Sequence, residues 1–418
     1  MSTNLRIALR FLTARKRSML MSLAGIIFGV GFFIVTQAQT SGFEQFFIKT
    51  ILGTNGAIRI EDKWQLSIFA MAADGFDPGA SKFEIEADRE AHKYIEGVEN
   101  PALIMEALRK FKNVRGVSEV VQGSVIADSS FKNDAAKIYG IKLEDHLAVS
   151  DLGSQIVDGS LEDYRATPQG LLVGRELAKR LQLRPGDSLI LRANEEQRRY
   201  RVSAVYATGV SEIDRVRIFM HIGEARSLLK RTEGASFLQV TLFDRDRAPQ
   251  DARLMSNVLK HNAQSWQQRE EPWLQVFSAL KISAALTVST IILISGLGMF
   301  NTLAMIVIEK TKEIAILRSM GYTRSDISRI FIWLGTIVLV IGTVGGWLMG
   351  WGVTYGVSKI PIHITGIFAT NHFQVHSSLS HYVVATVTAA VVVMTAAVIP
   401  ARRAARLEPG DIIRGTSQ

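Results

Sequence analysis

The sequence predicts an α-helical membrane protein with four transmembrane helices and a large mixed α/β domain between the first and the second. Three observations carry that prediction. The 418 residues are 47% apolar and only 21% charged, with a mean hydropathy of +0.16. The apolar residues are gathered into four uncharged runs, 18–43, 282–308, 330–358 and 360–401, and about 20 apolar residues suffice to cross a bilayer core. Between the first two runs lies a polar stretch of about 230 residues, long enough to bury a core of its own. This composition excludes a soluble enzyme, a disordered chain and a collagen-like fibre.

The elements follow in order. Residues 1–18 carry Arg6, Arg10, Arg15, Lys16 and Arg17 with no acid. The run after them is too long for a typical signal-peptide core and lacks a small-residue cleavage pattern, so 19–43 is read as a retained first span. The link 309–329 holds Lys310, Lys312, Arg318, Arg324 and Arg329, and the tail 402–418 holds Arg402, Arg403, Arg406 and Arg414. The link 358–381 has Lys359 alone. Lysine and arginine favour the cytoplasmic side, which places both termini and 309–329 in the cytoplasm. The remaining spans are then 278–308, 330–357 and 382–401, and the domain 44–277 lies outside.

Within that domain, 102–111 and 222–230 have helical spacing, and 117–127, 137–141 and 236–243 read as strands. Residues 173–183 (VGRELAKRLQL) read as a helix, ended by the turn R-P-G-D at 184–187. Strands 188–191 and 200–207 follow, with the polar 193–199 between them as a short hairpin loop. Residues 61–100 are more polar, with an acidic run at 84–90, and are read as an insertion. No tandem repeat is present.

Several chemistries are excluded by residue type. There is no cysteine, hence no disulfide, thiolate metal site or cysteine nucleophile. The net charge of +9 comes from basic residues beside the apolar runs, without a nucleic-acid module. No G-x-x-x-x-G-K-[ST] occurs, so the chain is not expected to bind ATP by itself, and no catalytic residue or cofactor is assigned to it. No acid sits inside a span, which argues against ion-driven transport and leaves a partner as the source of energy. His363, His372, His376 and His381 fall together; His372 and His376 have the spacing of a helical metal pair, but a polar interfacial loop explains all four, and no metal site is assigned. Gly342, Gly346 and Gly350 form a small-residue row in the third span. Such rows let helices approach closely, either within the chain or across a dimer face.

Two cytoplasmic motifs carry a resemblance. Residues 309–323 (EKTKEIAILRSMGYT) and 400–414 (PARRAARLEPGDIIR) resemble the E-[KR]-x-x-E-I-x-x-L-R-x-x-G-x-[ST] and P-A-x-x-A-x-x-x-x-P-x-x-x-[IL]-R signatures of the FtsX/MacB/LolC–LolE permeases, the mechanotransmitting class of ABC transporters. Within that group S-G-F-E at 41–44, V-G-R-E-L-A at 173–178, R-P-G-D at 184–187, VYATGVSEID at 205–214 and Trp266 resemble the LolC/LolE lipoprotein-releasing branch. LolC-type subunits carry a long carrier-recruiting hook where this chain has only the hairpin at 193–199, which brings it nearer to LolE. The segment 61–100 has no counterpart.

The resemblance implies a permease subunit in a Gram-negative inner membrane, paired with a second copy or a paralogue. Two cytoplasmic ABC ATPase subunits would hold ATP and Mg and drive extraction of lipoproteins from the outer leaflet, with a periplasmic carrier as a further partner. A MacB-like exporter of peptides or toxins and an FtsX-like regulator are the alternatives. The motifs assign coupling to the ATPase to Glu309, Lys312, Glu313, Ile316, Leu317, Arg318 and Gly321, and a tail motif to Pro400, Ala401, Ala404, Pro409 and Arg414. Physically, Ile314, Ile316, Leu317 and Met320 are expected to give a short amphipathic helix one apolar side, with Gly321 as its cap. A lipid path needs apolar walls, because each acyl CH₂ withdrawn from lipid costs roughly 0.8 kcal/mol unless reburied. Phe32, Phe33, Phe43, Phe46 and Phe47 on the first span and its extension, with Phe277, Leu280 and Leu286 on the second, are the candidate walls.

Overall fold

The computed structural model describes residues 3–12, 16–62, 97–193, 196–231, 233–365 and 369–406; most of the segment 61–100, with Pro409 and Arg414, lies outside them. In chain order the helices and strands are α1 (Thr3–Leu12), α2 (Lys16–Asn55), β1 (Ile58–Glu61), α3 (Pro101–Arg109), β2 (Val114–Asp128), β3 (Asn133–Ile141), α4 (Leu143–Val149), β4 (Ile156–Gly159), α5 (Leu161–Ala166), β5 (Gly170–Gly174) and α6 (Arg175–Leu181). They continue with β6 (Ser188–Ala193), β7 (Glu196–Tyr206), α7 (Ser211–Val216), β8 (Arg217–His221), α8 (Ile222–Leu228), β9 (Phe237–Leu242), α9 (Ala248–Leu259), β10 (Asn262–Ser265) and α10 (Trp266–Arg269). The last are α11 (Glu271–Glu309), α12 (Thr311–Ser319), α13 (Arg324–Ser358), β11 (Pro361–Thr365), β12 (Ala369–His372) and α14 (Leu379–Ala405). Contacts divide the chain into a helical unit, 1–45 with 275–362 and 372–418, and an α/β unit, 46–274 with 363–371.

Among the described residues four helices, α2, α11, α13 and α14, are long and apolar enough to cross a membrane. They run beyond the uncharged runs, because a helix continues through a charge that finds a partner. Glu44 of α2 and Lys281 of α11 pair with each other. In the helical unit, ideal Cβ atoms placed on Gly342 and Gly346 of α13 would lie 2.6 Å from Ile26 Cγ2 and Val30 Cβ of α2, and one on Gly350 3.0 Å from Ile34 Cβ. The glycine row is therefore filled by a β-branched row of the same chain, in the same order, so α2 and α13 run parallel. Gly25 and Gly29 of α2 meet Ser295 and Ile292 of α11 in reverse order, so α11 is antiparallel. Trp347 Nε1 donates to Thr386 Oγ1 (3.1 Å) and Gly335 abuts Ala397, making α14 antiparallel to α13. The start of α2, the end of α11, the start of α13 and the end of α14 thus share one end of the bundle.

Helix α1 was not legible as an element among the basic residues of 1–18. Its Ala8 and Phe11 are buried, Phe11 packs against Phe331 of α13 with ring centroids 6.3 Å apart, and Arg6 and Arg10 are exposed. Apolar and basic residues at helical spacing were the available signal.

The α/β unit is built on one ten-stranded sheet. β2 is 15 residues long and pairs with β9 along its first half and with β6 at its end. Because β6 also pairs with β7, the strands β2, β3, β8, β5, β7 and β6 close a ring. β3 with β8 and β5 with β7 are parallel; the other pairs are antiparallel. Leu171, Val173, Leu189, Leu191, Val202 and Met220 form an apolar cluster with Leu177 and Leu181 of α6 and Leu228 of α8. A second cluster joins Ile58, Ile60, Leu238 and Val240 to Leu108 of α3 and Met255 of α9.

Two expectations are corrected here. The helix read at 173–183 begins only at Arg175, because Leu171, Leu172 and Val173 are fully buried strand residues of β5; a strand covered on both sides shows no alternation, so its apolar run merged with the helix behind it. Of the loop read at 193–199, residues 193 and 196–199 are strand instead, and 194–195 lie outside the described residues. Ala193 pairs with Glu196 and Arg192 with Gln197, because the exposed face of an antiparallel strand tolerates polar residues.

His146 of α4 is buried, beside Phe219 (centroids 5.2 Å) and Ser118 Oγ (3.4 Å from Nδ1). Burial, reinforced by the charge of Arg217, lowers its pKa from 6.5 to about 3. The folded state therefore holds it neutral, and the unfolded chain binds its proton first as pH falls. Its contribution to stability is complete above 6.5 and is lost progressively from there toward 3, by up to about 1.4 kcal/mol per pH unit. Thermal unfolding of the purified chain in detergent should shift down between pH 7 and pH 5, and His146→Gln should flatten that slope.

Candidate functional site

The expected coupling segment folds as α12, set between the end of α11 and the start of α13. Its inner side is fixed by Ile314 and Ala315, both buried in the core of the helical unit, with Leu317 packed at its margin. Its outer side presents Lys312, Glu313, Ile316, Ser319 and Met320. Ile316 is 56% and Met320 73% exposed. The expectation of one apolar side is thus corrected to two. At about 100° per residue, Ile314 and Ala315 point inward while Glu313, Ile316 and Met320, spaced i, i+3, i+7, share the opposite face.

Both ends of α12 are held. Lys310 pairs with Glu313, and Thr311 Oγ1 donates to the Val307 carbonyl (2.9 Å). At the other end Tyr322 N donates to Leu317 O and Gly321 N to Arg318 O, both 3.2 Å, with Gly321 at φ +97°. This is the two-bond left-handed helix stop that favours glycine. Directly after it, Thr323 caps α13: Asp326 N donates to Thr323 Oγ1 (3.2 Å) and Thr323 N to the Asp326 carboxylate (3.1 Å). The T-x-x-D pattern at 323–326 was readable in the sequence as a capping box.

Arg318 has a further role that the motif did not disclose. Its Nη1 donates to the carbonyl of Ala405 in the last turn of α14 (3.2 Å), where a cation also complements the helix dipole. The tail motif therefore meets the coupling helix: Pro400, Ala401 and Ala404 are buried in the same unit. Glu309 and Lys312 are exposed.

The candidate lipid walls separate. Phe33 and Phe277 are buried, whereas Phe32, Leu280 and Leu286 are 52%, 52% and 65% exposed. Phe43 stands edge-on to Phe373 (centroids 5.4 Å). Phe46 and Phe47 belong to the α/β unit, where Phe47 is buried against Trp273 (5.6 Å). Within the helical unit the buried Phe33 and Phe277 do not share the exposed surface of Phe32, Leu280 and Leu286. His372 ends β12 and His376 lies outside any helix, so their helical metal spacing is not realised, and no group of three metal-ligating side chains occurs among the described residues.

Residues 285–409 match the FtsX-like permease C-terminal domain, and residues 19–257, more than half the chain, match the MacB-like periplasmic core domain. The chain is an FtsX-like permease with a MacB-like periplasmic core domain. It is 26% identical over 445 residues to the lipoprotein-releasing system transmembrane protein LolC of Xylella fastidiosa (strain 9a5c), covering 98% of both chains. LolC of Neisseria meningitidis serogroup B (strain ATCC BAA-335 / MC58) is 22% identical over 447 residues, again covering 98% of both. The macrolide export ATP-binding/permease protein MacB of Psychrobacter arcticus (strain DSM 17307 / VKM B-2377 / 273-4) is 24% identical over 197 residues, 45% of this permease and 28% of that protein. The α12 motif lies inside the C-terminal match, and the α/β unit supplies most of the periplasmic core match.

The left-handed Gly321 has no neighbour within 4 Å of an added Cβ, so its constraint is backbone conformation alone. Gly321→Ala should therefore cost about 1 kcal/mol of local stability. Arg318→Gln should loosen the α12–α14 link. Hydrogen exchange of the purified permease should show faster exchange confined to 314–322 for the first variant, and extending to the last turn of α14 for the second.

Proposed function

We propose that this permease is the membrane subunit of an ATP-driven ABC complex that extracts lipoproteins from the outer leaflet of a bacterial inner membrane. The observation that carries the reading is the α12 face of Glu313, Ile316 and Met320, held rigidly on the bundle by Ile314, Gly321 and Arg318. It is a short, fixed, amphipathic docking surface of the kind a partner groove takes up. Likeness to LolC proteins over 98% of the chain supports the cargo class. The partner would be a separate cytoplasmic ATPase, in two copies, holding ATP and Mg. A second permease copy or paralogue would complete the pore-side dimer. A nucleotide-driven stroke on α12 passes to α14 through Arg318 and Ala405, and to α11 and α13, of which α12 is the direct connection. In this reading the α/β unit handles the polypeptide part of the cargo, and a periplasmic carrier receives it.

The orientation belongs to the same proposal. The bundle end that bears α12 carries Arg17, Lys310, Lys312, Arg318, Arg324, Arg329, Arg402, Arg403 and Arg406, which favours the cytoplasmic side for both termini. Cysteines introduced singly at the exposed Ser130 and Ser325 give a direct check in a chain with none of its own. A membrane-impermeant maleimide added to the periplasmic side should label Ser130→Cys and spare Ser325→Cys; the opposite pattern rejects the orientation and the docking face with it.

Function is tested by reconstituting the permease with its co-purifying ATPase in vesicles loaded with a triacylated lipoprotein. Wild-type complex should release lipoprotein to a soluble acceptor only with ATP. Ile316→Asp and Met320→Asp should each weaken ATPase binding about tenfold or more, as for residues central to an interface, while leaving the permease folded. Release without ATP, or wild-type ATPase binding by both variants, would reject the reading.

A further inference from the structure

At the end of the bundle opposite α12, a short strap crosses α2. Residues 373–378 leave β12 and lead into α14. On the way His376 N donates to the carbonyl of Ala38 (2.9 Å), Phe373 meets Phe43 edge-on, and the His381 ring Nε2 shares a 3.2 Å hydrogen bond with Ser41 Oγ. The approach is close enough to require glycine at position 42. A Cβ there would collide with the Gln374 carbonyl and lie 2.6 Å from Val375 Cα. Beside the strap, α2 is clasped to α11: the Glu44 carboxylate pairs with the Lys281 ammonium, and Gln37 Nε2 donates to the Lys281 carbonyl (3.0 Å).

These contacts differ in kind from those deeper in the α2 seam. There, Gly25 and Gly29 sit against Ser295 and Ile292, and separating them opens a void with nothing to replace the lost contacts. Apart from the Phe373–Phe43 contact and the close approach at Gly42, the strap and clasp are discrete hydrogen bonds and one ion pair at the bundle end, where water can satisfy each polar group once it is released. A seam closed this way has two well-defined states, made and unmade. It can open at this end while the rest stays packed.

We propose that the 373–378 strap and the Glu44–Lys281–Gln37 clasp form a latch. Made, it holds α2 closed against α11 and α14; released, it opens the α2–α11 seam, beside which Phe32, Leu280 and Leu286 are already exposed, to acyl chains. The acyl-chain assignment rests on the lipoprotein-release reading, whereas the latch does not.

The test uses Phe43→Cys with Phe373→Cys in the otherwise cysteine-free chain, within the native complex in membranes, and a short bifunctional thiol reagent with a cleavable spacer. Cross-linking should be efficient without nucleotide and fall roughly tenfold when ATP and vanadate trap the complex, the change expected when contacts to a charged pair are lost. The locked complex should release no lipoprotein until the spacer is cleaved. Equal yields in both nucleotide states, or release by the locked complex, overturns the latch. A nucleotide-dependent yield in a complex whose unlocked form never releases lipoprotein supports the latch and rejects the cargo reading. Glu44→Gln and Lys281→Gln, on the same cysteine pair, should each lower the nucleotide-free yield. Exchanging the two charges (Glu44→Lys with Lys281→Glu) should restore it, and failure of the exchange to do so rejects the clasp.

Discussion

The row of Gly342, Gly346 and Gly350 against Ile26, Val30 and Ile34 is the contact on which the helical unit depends. In lipid the apolar effect that assembles soluble cores contributes little between helices, so backbone proximity and dispersion must hold the bundle. Glycine removes the side chain that would separate the axes, and β-branched partners with few rotamers fill the groove at small entropic loss. Once α2 and α13 are set parallel by this row, α11 is placed antiparallel by Gly25 and Gly29. The short polar cluster of Ser18, Ser22 and Thr302 is then brought together inside the bundle.

That arrangement decides what α12 can do. Two helix ends and two helix starts converge at one end of the bundle, and α12 is the covalent bridge between two of them. Ile314 seats it, Gly321 stops it, and Arg318 ties it to a third helix. The exposed face is left with two apolar side chains among charges, a composition suited to a partner and poorly suited to lipid. Residues that the motif groups together thus divide into those that hold the helix and those that face outward. Arg318 and Gly321 act through the position of α12; Glu313, Ile316 and Met320 present its surface.

The α/β unit follows a different rule. Its core is apolar burial in water, and β2 pairs with β3 on one edge and with β9 and then β6 on the other, so that the six-strand ring closes. β6 and β7 pair with each other as far as Ala193 and Glu196, and β6 pairs with β2 at 190–192, so this hairpin is itself part of the ring.

The four helices, the α/β domain between the first two, and both permease motifs were legible in the sequence, because span length and charge placement are local properties that a bilayer imposes on any chain. Gly321 as a helix stop was equally local. The strand start at 170–174 and the strand residues 193 and 196–199 were missed because burial on two faces, or exposure on one, erases the alternation that marks a strand. The pairing of Arg318 with Ala405 and the strap over Gly42 join residues 87 to more than 300 positions apart. The chain itself determined which segments enter the membrane and which motif they carry. Only tertiary packing decided which side of each helix is spent on the bundle and which remains for a partner, since that choice is set by neighbours the local pattern does not contain.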